Sequence, residues 1–214
     1  MNIILSIYEK LNVHYGDLNW WPADSPYEVM VGAVLTQNTA WNNVEKAIAN
    51  FGDNLSPEYV LATDNEKLID IIRPAGFFNQ KAVYLKAMTE WFSTYNFHIP
   101  AIQCESLDKL RPELLAIKGI GRETADSILL YALGFPTFVI DAYTVRLCNR
   151  YGINAGKSYD NLKTYFEKNL PVDAKIYNNY HALIVINGKD HCRKTKPLCE
   201  KCPLCEACRK DFDT

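Results

Sequence analysis

Apolar residues recur at three- and four-residue intervals along most of the chain. The N-terminal stretch MNIILSIYEKL reads as an amphipathic helix. Val44, Ile48 and Phe51 keep the same period, as do Leu68, Ile71 and Ile72, and then Leu129, Leu130 and Leu133. Ser25-Pro26 and Ser56-Pro57 have the form of helix starts, a capping hydroxyl followed by proline in the first helical position. Arg73-Pro74 and Phe135-Pro136 fall where a helix should stop, because proline disfavours helical geometry in the residue before it. Phe138-Val139-Ile140 is the one strand-like run, too short and isolated to imply a sheet. No internal repeat or low-complexity segment interrupts the pattern. The predicted class is all-α.

Composition narrows this picture modestly. The 214 residues, 48% hydrophobic and 22% charged, suit one generous domain or two small ones sharing an interface. No apolar run reaches the roughly 20 residues of a membrane helix. The N-terminus lacks a basic region and a small-residue cleavage site, so a cytoplasmic protein without membrane attachment is expected. A net charge of −2 argues against a general electrostatic binder of nucleic acid. A local basic face remains open, since residues 189–210 carry seven Lys or Arg against three Asp or Glu.

Five of the seven cysteines crowd the C-terminus, at 192, 199, 202, 205 and 208. Cys192, Cys199, Cys202 and Cys208 fit the spacing C-x6-C-x2-C-x5-C. Thiols packed this closely in a cytoplasmic chain point to metal ligation rather than disulfides. Zinc accepts four thiolates, although its ribbons pair two short knuckles across a long gap. Four ligands within 17 residues suit an iron–sulfur cubane, and the spacing leaves both metals open. Cys205 forms a second C-x2-C and blurs the assignment, whereas Cys104 and Cys148 read as small buried apolar residues.

Gly119-Ile120-Gly121 follows the apolar positions Leu114, Leu115 and Ile117, so a tight turn joins two helices there. No strand precedes it and no Lys-Ser/Thr follows, which argues against dinucleotide and P-loop sites. Glycines at a helix N-terminus still leave backbone N–H groups beside the positive end of the dipole, where a nucleic-acid phosphate can sit. Glu123 is compatible with such a site if it points away. Asp141 precedes a second helical run beginning Ala142-Tyr143-Thr144. By itself it reads as an N-cap, accepting backbone N–H bonds that keep it ionised.

Together these segments resemble the helix–hairpin–helix DNA glycosylases of the endonuclease III superfamily. The hairpin LLAIKGIGRETA (Leu114 to Ala125), the apolar helix, the Phe138-Val139-Ile140 triplet and Asp141 follow the family order, and the cysteine spacing matches its [4Fe–4S] loop. Leu35-Thr36-Gln37-Asn38-Thr39 is similar to the segment whose Gln fills the hole left by a flipped base. Gly76-Phe77-Phe78-Asn79 is similar to the wedge loop that enters the opposite strand.

The resemblance implies two helical domains with a DNA cleft between them. One is a six-helix bundle over residues 22–134; the other joins 1–21 to 135–214 and carries the catalytic Asp and the cluster. It implies DNA contacts from Gln37, Phe77, Gly119, Gly121 and Thr124, catalysis by Asp141, and a [4Fe–4S] cluster on Cys192, Cys199, Cys202 and Cys208. Double-stranded DNA with a damaged base is the expected partner of a monomer in the cytoplasm, associated with the nucleoid. Relatives that also cut the backbone carry a hairpin lysine where this chain has Glu123, and a glutamate cannot form the Schiff base. The implied enzyme is therefore a monofunctional glycosylase. Trp20-Trp21-Pro22 is similar to the aromatic pocket entry of the 3-methyladenine branch, which also has an acid at the position of Glu123. Trp20, Trp21 and Glu123 are thus the expected base-pocket residues, with an alkylated purine as the lesion. Alternatives are a glycosylase for oxidised pyrimidines or mismatched bases, and a non-catalytic binder of DNA structure.

Overall fold

The computed structural model describes residues 2–156 and 158–210, and among them only helices, turns and loops occur. In chain order the helices are α1 (Ile3–Tyr15), α2 (Pro26–Leu35), α3 (Trp41–Ala49), α4 (Pro57–Ala62), α5 (Asn65–Ile72) and α6 (Phe78–Ser93). They continue with α7 (Ile99–Gln103), α8 (Leu107–Ala116), α9 (Arg122–Ser127), α10 (Ala142–Tyr151), α11 (Tyr159–Lys168) and α12 (Ala174–Asp190). Sequence signals set many of the starts. Ser25 and Ser56 cap α2 and α4, each with proline next, and Asp64, Asp141, Ser158 and Asp173 cap α5, α10, α11 and α12.

The chain divides into two compact units, one of residues 21–135 and one of residues 1–20 with 136–214. The 21–135 unit holds eight α-helices, where six were expected; α4 and α7, of six and five residues, are little more than single turns. Its centre is α2, in which Val29 through Leu35 are all buried. That helix packs against α3, α6, α9 and the turn that follows α9. A helix apolar on every side has to be surrounded.

The run containing Leu129, Leu130 and Leu133 does not continue α9 regularly. Ile128–Ala132 is a π-helical turn, and Leu133 N–H donates to the Ile128 carbonyl five residues back, at 3.1 Å. The wider turn shifts the register of the apolar side chains, a feature that a 3.6-residue period does not reveal. Cys104, expected in the core, is exposed because it falls at the C-cap of short α7. Cys148 is buried.

In the other unit α1 and α10 both pack on α12. Phe138 stacks on Phe166 with centroids 4.5 Å apart, and the Tyr180 hydroxyl donates to the Ile4 carbonyl at 2.9 Å, tying α1 to the C-terminal helices. Phe138, Val139 and Ile140 are buried but pair with no strand, and they deliver the chain to Asp141. No helix among the described residues is long and apolar enough to cross a membrane.

Candidate functional site

In the 21–135 unit the hairpin is built from α8, the Gly119 turn and α9. Ile120 tucks inward, and its N–H donates to the Ile117 carbonyl at 3.0 Å. Gly119 has φ +86°, outside the range of an ordinary L-residue, and a Cβ there would lie 2.2 Å from the Tyr84 ring. Gly121 is the exposed N-cap of α9, with open space around it, and offers no side chain to the first-turn N–H groups. Lys118 and Glu123 are exposed beside it. Thr124 is buried: its hydroxyl accepts from Gln37 Nε2 at 3.0 Å, and the Gly119 carbonyl accepts from the same amide at 3.0 Å. Gln37 is thereby locked to the hairpin. The two hairpin legs share an ion pair invisible in sequence, Arg111 to the fully buried Asp126, with bonds of 2.8 and 3.0 Å.

Phe77 stands at the N-terminus of α6 with φ 47° and ψ 31°, a left-handed conformation costing an L-residue about 1–2 kcal/mol. Its ring is 62% exposed, so burial of the side chain does not offset that strain. An exposed aromatic held in a strained turn points to a role outside the fold. Trp21 belongs to this unit as well, half-buried and edge-on to Trp41 at 5.1 Å, with Tyr131 at 5.2 Å. A Cβ on Gly32 would come within 3.2 Å of its indole, so α2 needs a glycine where Trp21 packs.

Asp141 lies in the other unit as the N-cap of α10. Its Oδ1 accepts from Thr144 N at 2.7 Å and from Thr144 Oγ1 at 2.9 Å. Its Oδ2 lies 3.5 Å from Nε2 of His181 on α12, and both side chains are nearly buried. Burial pushes this carboxyl up, but the His181 side chain beside it and the hydrogen bonds from His181 and Thr144 outweigh it and hold the group below its ordinary value. The result is a carboxylate kept ionised where water is scarce. His181 was not singled out in the sequence; the available signal was a polar residue within the apolar run Tyr180 to Ile186. Trp20 closes the first segment of this unit, with the Lys189 ammonium 5.4 Å from its ring centroid. Adjacent in sequence, Trp20 and Trp21 have separate packing partners.

All five C-terminal cysteines, Cys205 included, line one small cavity together with Arg150, His191 and Lys210. The loop docks on α10 and α12. Arg150 donates to the Arg193 carbonyl at 2.6 Å and to Cys192 Sγ at 3.4 Å, and Arg146 donates to the Cys192 carbonyl at 2.7 Å. All seven cysteines are free of disulfides. Burial raises the Cys202 and Cys208 thiols, and neighbouring thiolates add to the rise. Ionising the whole set therefore calls for a compensating cation, which suits a thiolate-bound metal group. Among the described residues no three His, Cys, Asp or Glu side chains form a ready single-ion site.

A glycine hairpin with an open helix N-terminus, a glutamine locked to it and an ionised carboxylate at a helix start suit a helical DNA-repair glycosylase. Residues 31–172 match the HhH-GPD superfamily of base excision DNA repair proteins, and the chain belongs to that family. It is 51% identical over 211 residues, 96% of each chain, to the "Putative DNA repair glycosylase MJ1434" of Methanocaldococcus jannaschii. Among solved structures, the H. pylori 3-methyladenine DNA glycosylase MagIII, bound to 1,N6-ethenoadenine, superposes with a TM-score of 0.75 at 29% identity, covering 88% of this chain and 96% of that one. A non-covalent endonuclease III–DNA complex gives a TM-score of 0.81 at 22% identity, covering 97% and 94%, and shares the fold.

Proposed function

We propose that the chain is a monofunctional glycosylase that extrudes 3-methyladenine or a related alkylpurine and hydrolyses its N-glycosidic bond without cutting the backbone. The observation that carries this reading is Asp141, held ionised by Thr144 and His181. Such a carboxylate stabilises the cationic sugar of the transition state and orients the attacking water. The open N-terminus of α9 would take a DNA phosphate, Phe77 would enter the duplex, and Gln37 would occupy the space of the extruded base.

Two features support the lesion class. Glu123 supplies no amine for a Schiff base at the hairpin, and the structural relative at 29% identity is a 3-methyladenine enzyme. Trp20 and Trp21 are the proposed aromatic surface for a cationic purine, with Glu123 nearby in sequence to the hairpin contact. Cys192, Cys199, Cys202 and Cys208 would hold a [4Fe–4S] cluster whose contribution would be to offset part of the thiolate charge and brace the basic loop. The same cysteine cavity favours, as a second reading, an endonuclease III-like enzyme acting on oxidised pyrimidines or mismatches.

One panel of lesion duplexes separates the two. Release of free 3-methyladenine, with no covalent complex after borohydride, supports the proposal. Release of thymine glycol, or a trapped Schiff base, overturns it. Trp21→Ala should slow alkylpurine release more than it weakens binding to an abasic product, which has no base to stack.

A further inference from the structure

Lys81, on α6, is 2% exposed, yet among the described residues no carboxylate accounts for its burial. A lysine placed this way is costly unless its donors are used. They are: Nζ donates to the Leu35 carbonyl at 2.8 Å and to the Ala75 carbonyl at 2.8 Å. Those acceptors are informative. Leu35 is the last residue of α2, two positions before Gln37, and Ala75 lies two positions before Phe77. One ammonium therefore joins the turn that carries Gln37 to the turn that carries Phe77. Burial brings its pKa down to about 8, so the group is still mainly charged at neutral pH.

The geometry around it completes the case. A cavity of about 170 Å³ is lined by Gln37, Asn38, Phe77, Gln80, Lys81 and Tyr84. Tyr84, one helical turn beyond Lys81, abuts Gly119, and Gln37 is bonded to the Gly119 carbonyl. One face of α6 thus contacts both turns and the hairpin. Phe77 is strained and exposed, and its carbonyl accepts from Gln80 N at 3.1 Å and from Lys81 N at 3.0 Å.

We propose that Lys81 is a positioning residue for base extrusion: by clamping the Leu35 and Ala75 carbonyls it fixes Gln37 and Phe77 in one mutual geometry, so that both enter the duplex together. The inference rests on the proposed reading of Gln37 and Phe77 as the side chains that enter DNA. An isolated Phe77 turn would have to be ordered at the moment of binding, and pre-ordering removes that entropic cost.

The test compares Lys81→Met and Phe77→Ala in single-turnover release of the same lesion from two substrates, a fully paired duplex and single-stranded DNA. Extrusion from a duplex costs a few kcal/mol, so Lys81→Met is expected to slow release from the duplex about tenfold or more while changing single-strand release about twofold or less. If Lys81 acts through Phe77, the double variant is no slower on duplex than the slower single variant. Equal loss on both substrates would make Lys81 a general scaffold residue and overturn the inference. Should Lys81→Met fail to fold, Lys81→Ala, which removes the donors and leaves room for water at the two carbonyls, carries the same comparison. The two readings fail differently. If Phe77→Ala leaves duplex release unchanged, the reading of the turns is wrong; if it slows release and the Lys81 variants do not, only the clamp is wrong.

Discussion

Replacing Gly119 by alanine isolates what the hairpin demands of its sequence. At φ +86° any L-residue costs about 1–2 kcal/mol relative to glycine. The new methyl would also sit 2.2, 2.3 and 2.4 Å from three atoms of the Tyr84 ring, where ordinary contact begins near 3.4 Å. Ring or hairpin must then move by more than an ångström, and overpacking of this kind costs about 1–3 kcal/mol. The expected total is about 2–5 kcal/mol, a large share of a stability near 5–15 kcal/mol. Gly121 is the internal control: it has a negative φ and nothing within 4 Å, so Gly121→Ala should cost only about 1 kcal/mol or less, the difference between glycine and alanine at an N-cap. Urea midpoints at constant slope measure both. A cycle with Tyr84→Ala assigns the clash, because removing the ring should recover about 1–3 kcal/mol of the Gly119→Ala loss and leave the backbone cost. Equal losses at the two glycines, or a coupling below about 0.5 kcal/mol, would refute the reasoning.

Asp141→Asn keeps an Oδ1 acceptor for both Thr144 bonds, so the fold should weaken by about 1 kcal/mol or less while base release falls about 10²–10³-fold; release at a near wild-type rate would leave Asp141 a helix cap. Because the native Asp141 carboxyl lies below its ordinary value, its stabilisation is complete above the ordinary value and fades as pH falls through the native one, so wild type should lose stability relative to Asp141→Asn below about pH 4; parallel acid-unfolding curves would contradict this. Asp126→Ala leaves Arg111, only 24% exposed, without its bidentate partner and should cost about 3 kcal/mol in denaturant unfolding, more than the paired apolar replacement Arg111→Met with Asp126→Leu. Cys199→Ser should lower bound iron in the purified protein, whereas Cys205→Ser should leave it unchanged; loss at Cys205 alone would reassign the ligand.

What was legible in the sequence was whatever a short segment settles by itself. Helix starts at Ser25 and Ser56 need only a hydroxyl and a proline, and the all-α class needs only the period of the apolar residues. The hairpin was readable because its glycines answer to local backbone geometry. The residues that were missed are those whose meaning depends on a distant partner. Asp126 looks like a surface acid until Arg111 is brought to it from the other leg of the hairpin. Lys81 looks like an exposed helix lysine, yet its partners lie 46 and 6 residues away. His181 sits 40 residues beyond Asp141 in a helix that otherwise reads as core. The burial of Thr124 was not readable either, because burial of a small hydroxyl residue depends on what packs over it. The surroundings of the Trp20-Trp21 pair were likewise not readable, since Trp41 and Tyr131 beside Trp21 and Lys189 beside Trp20 all come from distant parts of the chain.

The charge of the chain fits these placements. A protein with a net charge of −2 cannot rely on a general field to hold a polyanion, so its attraction for DNA has to be local. The basic side chains that build the structure, Arg146 and Arg150, are taken up by carbonyls of the cysteine loop. Those left at the surface of that loop, Arg193, Lys194, Lys196, Lys201, Arg209 and Lys210, are all exposed. Main-chain donors at the hairpin would add attraction without adding charge. Under the proposed reading the loop would serve as more than a carrier of thiols: a cluster bound to its cysteines would also keep six cations gathered on one short segment, which a loop of this composition would otherwise spread apart by repulsion.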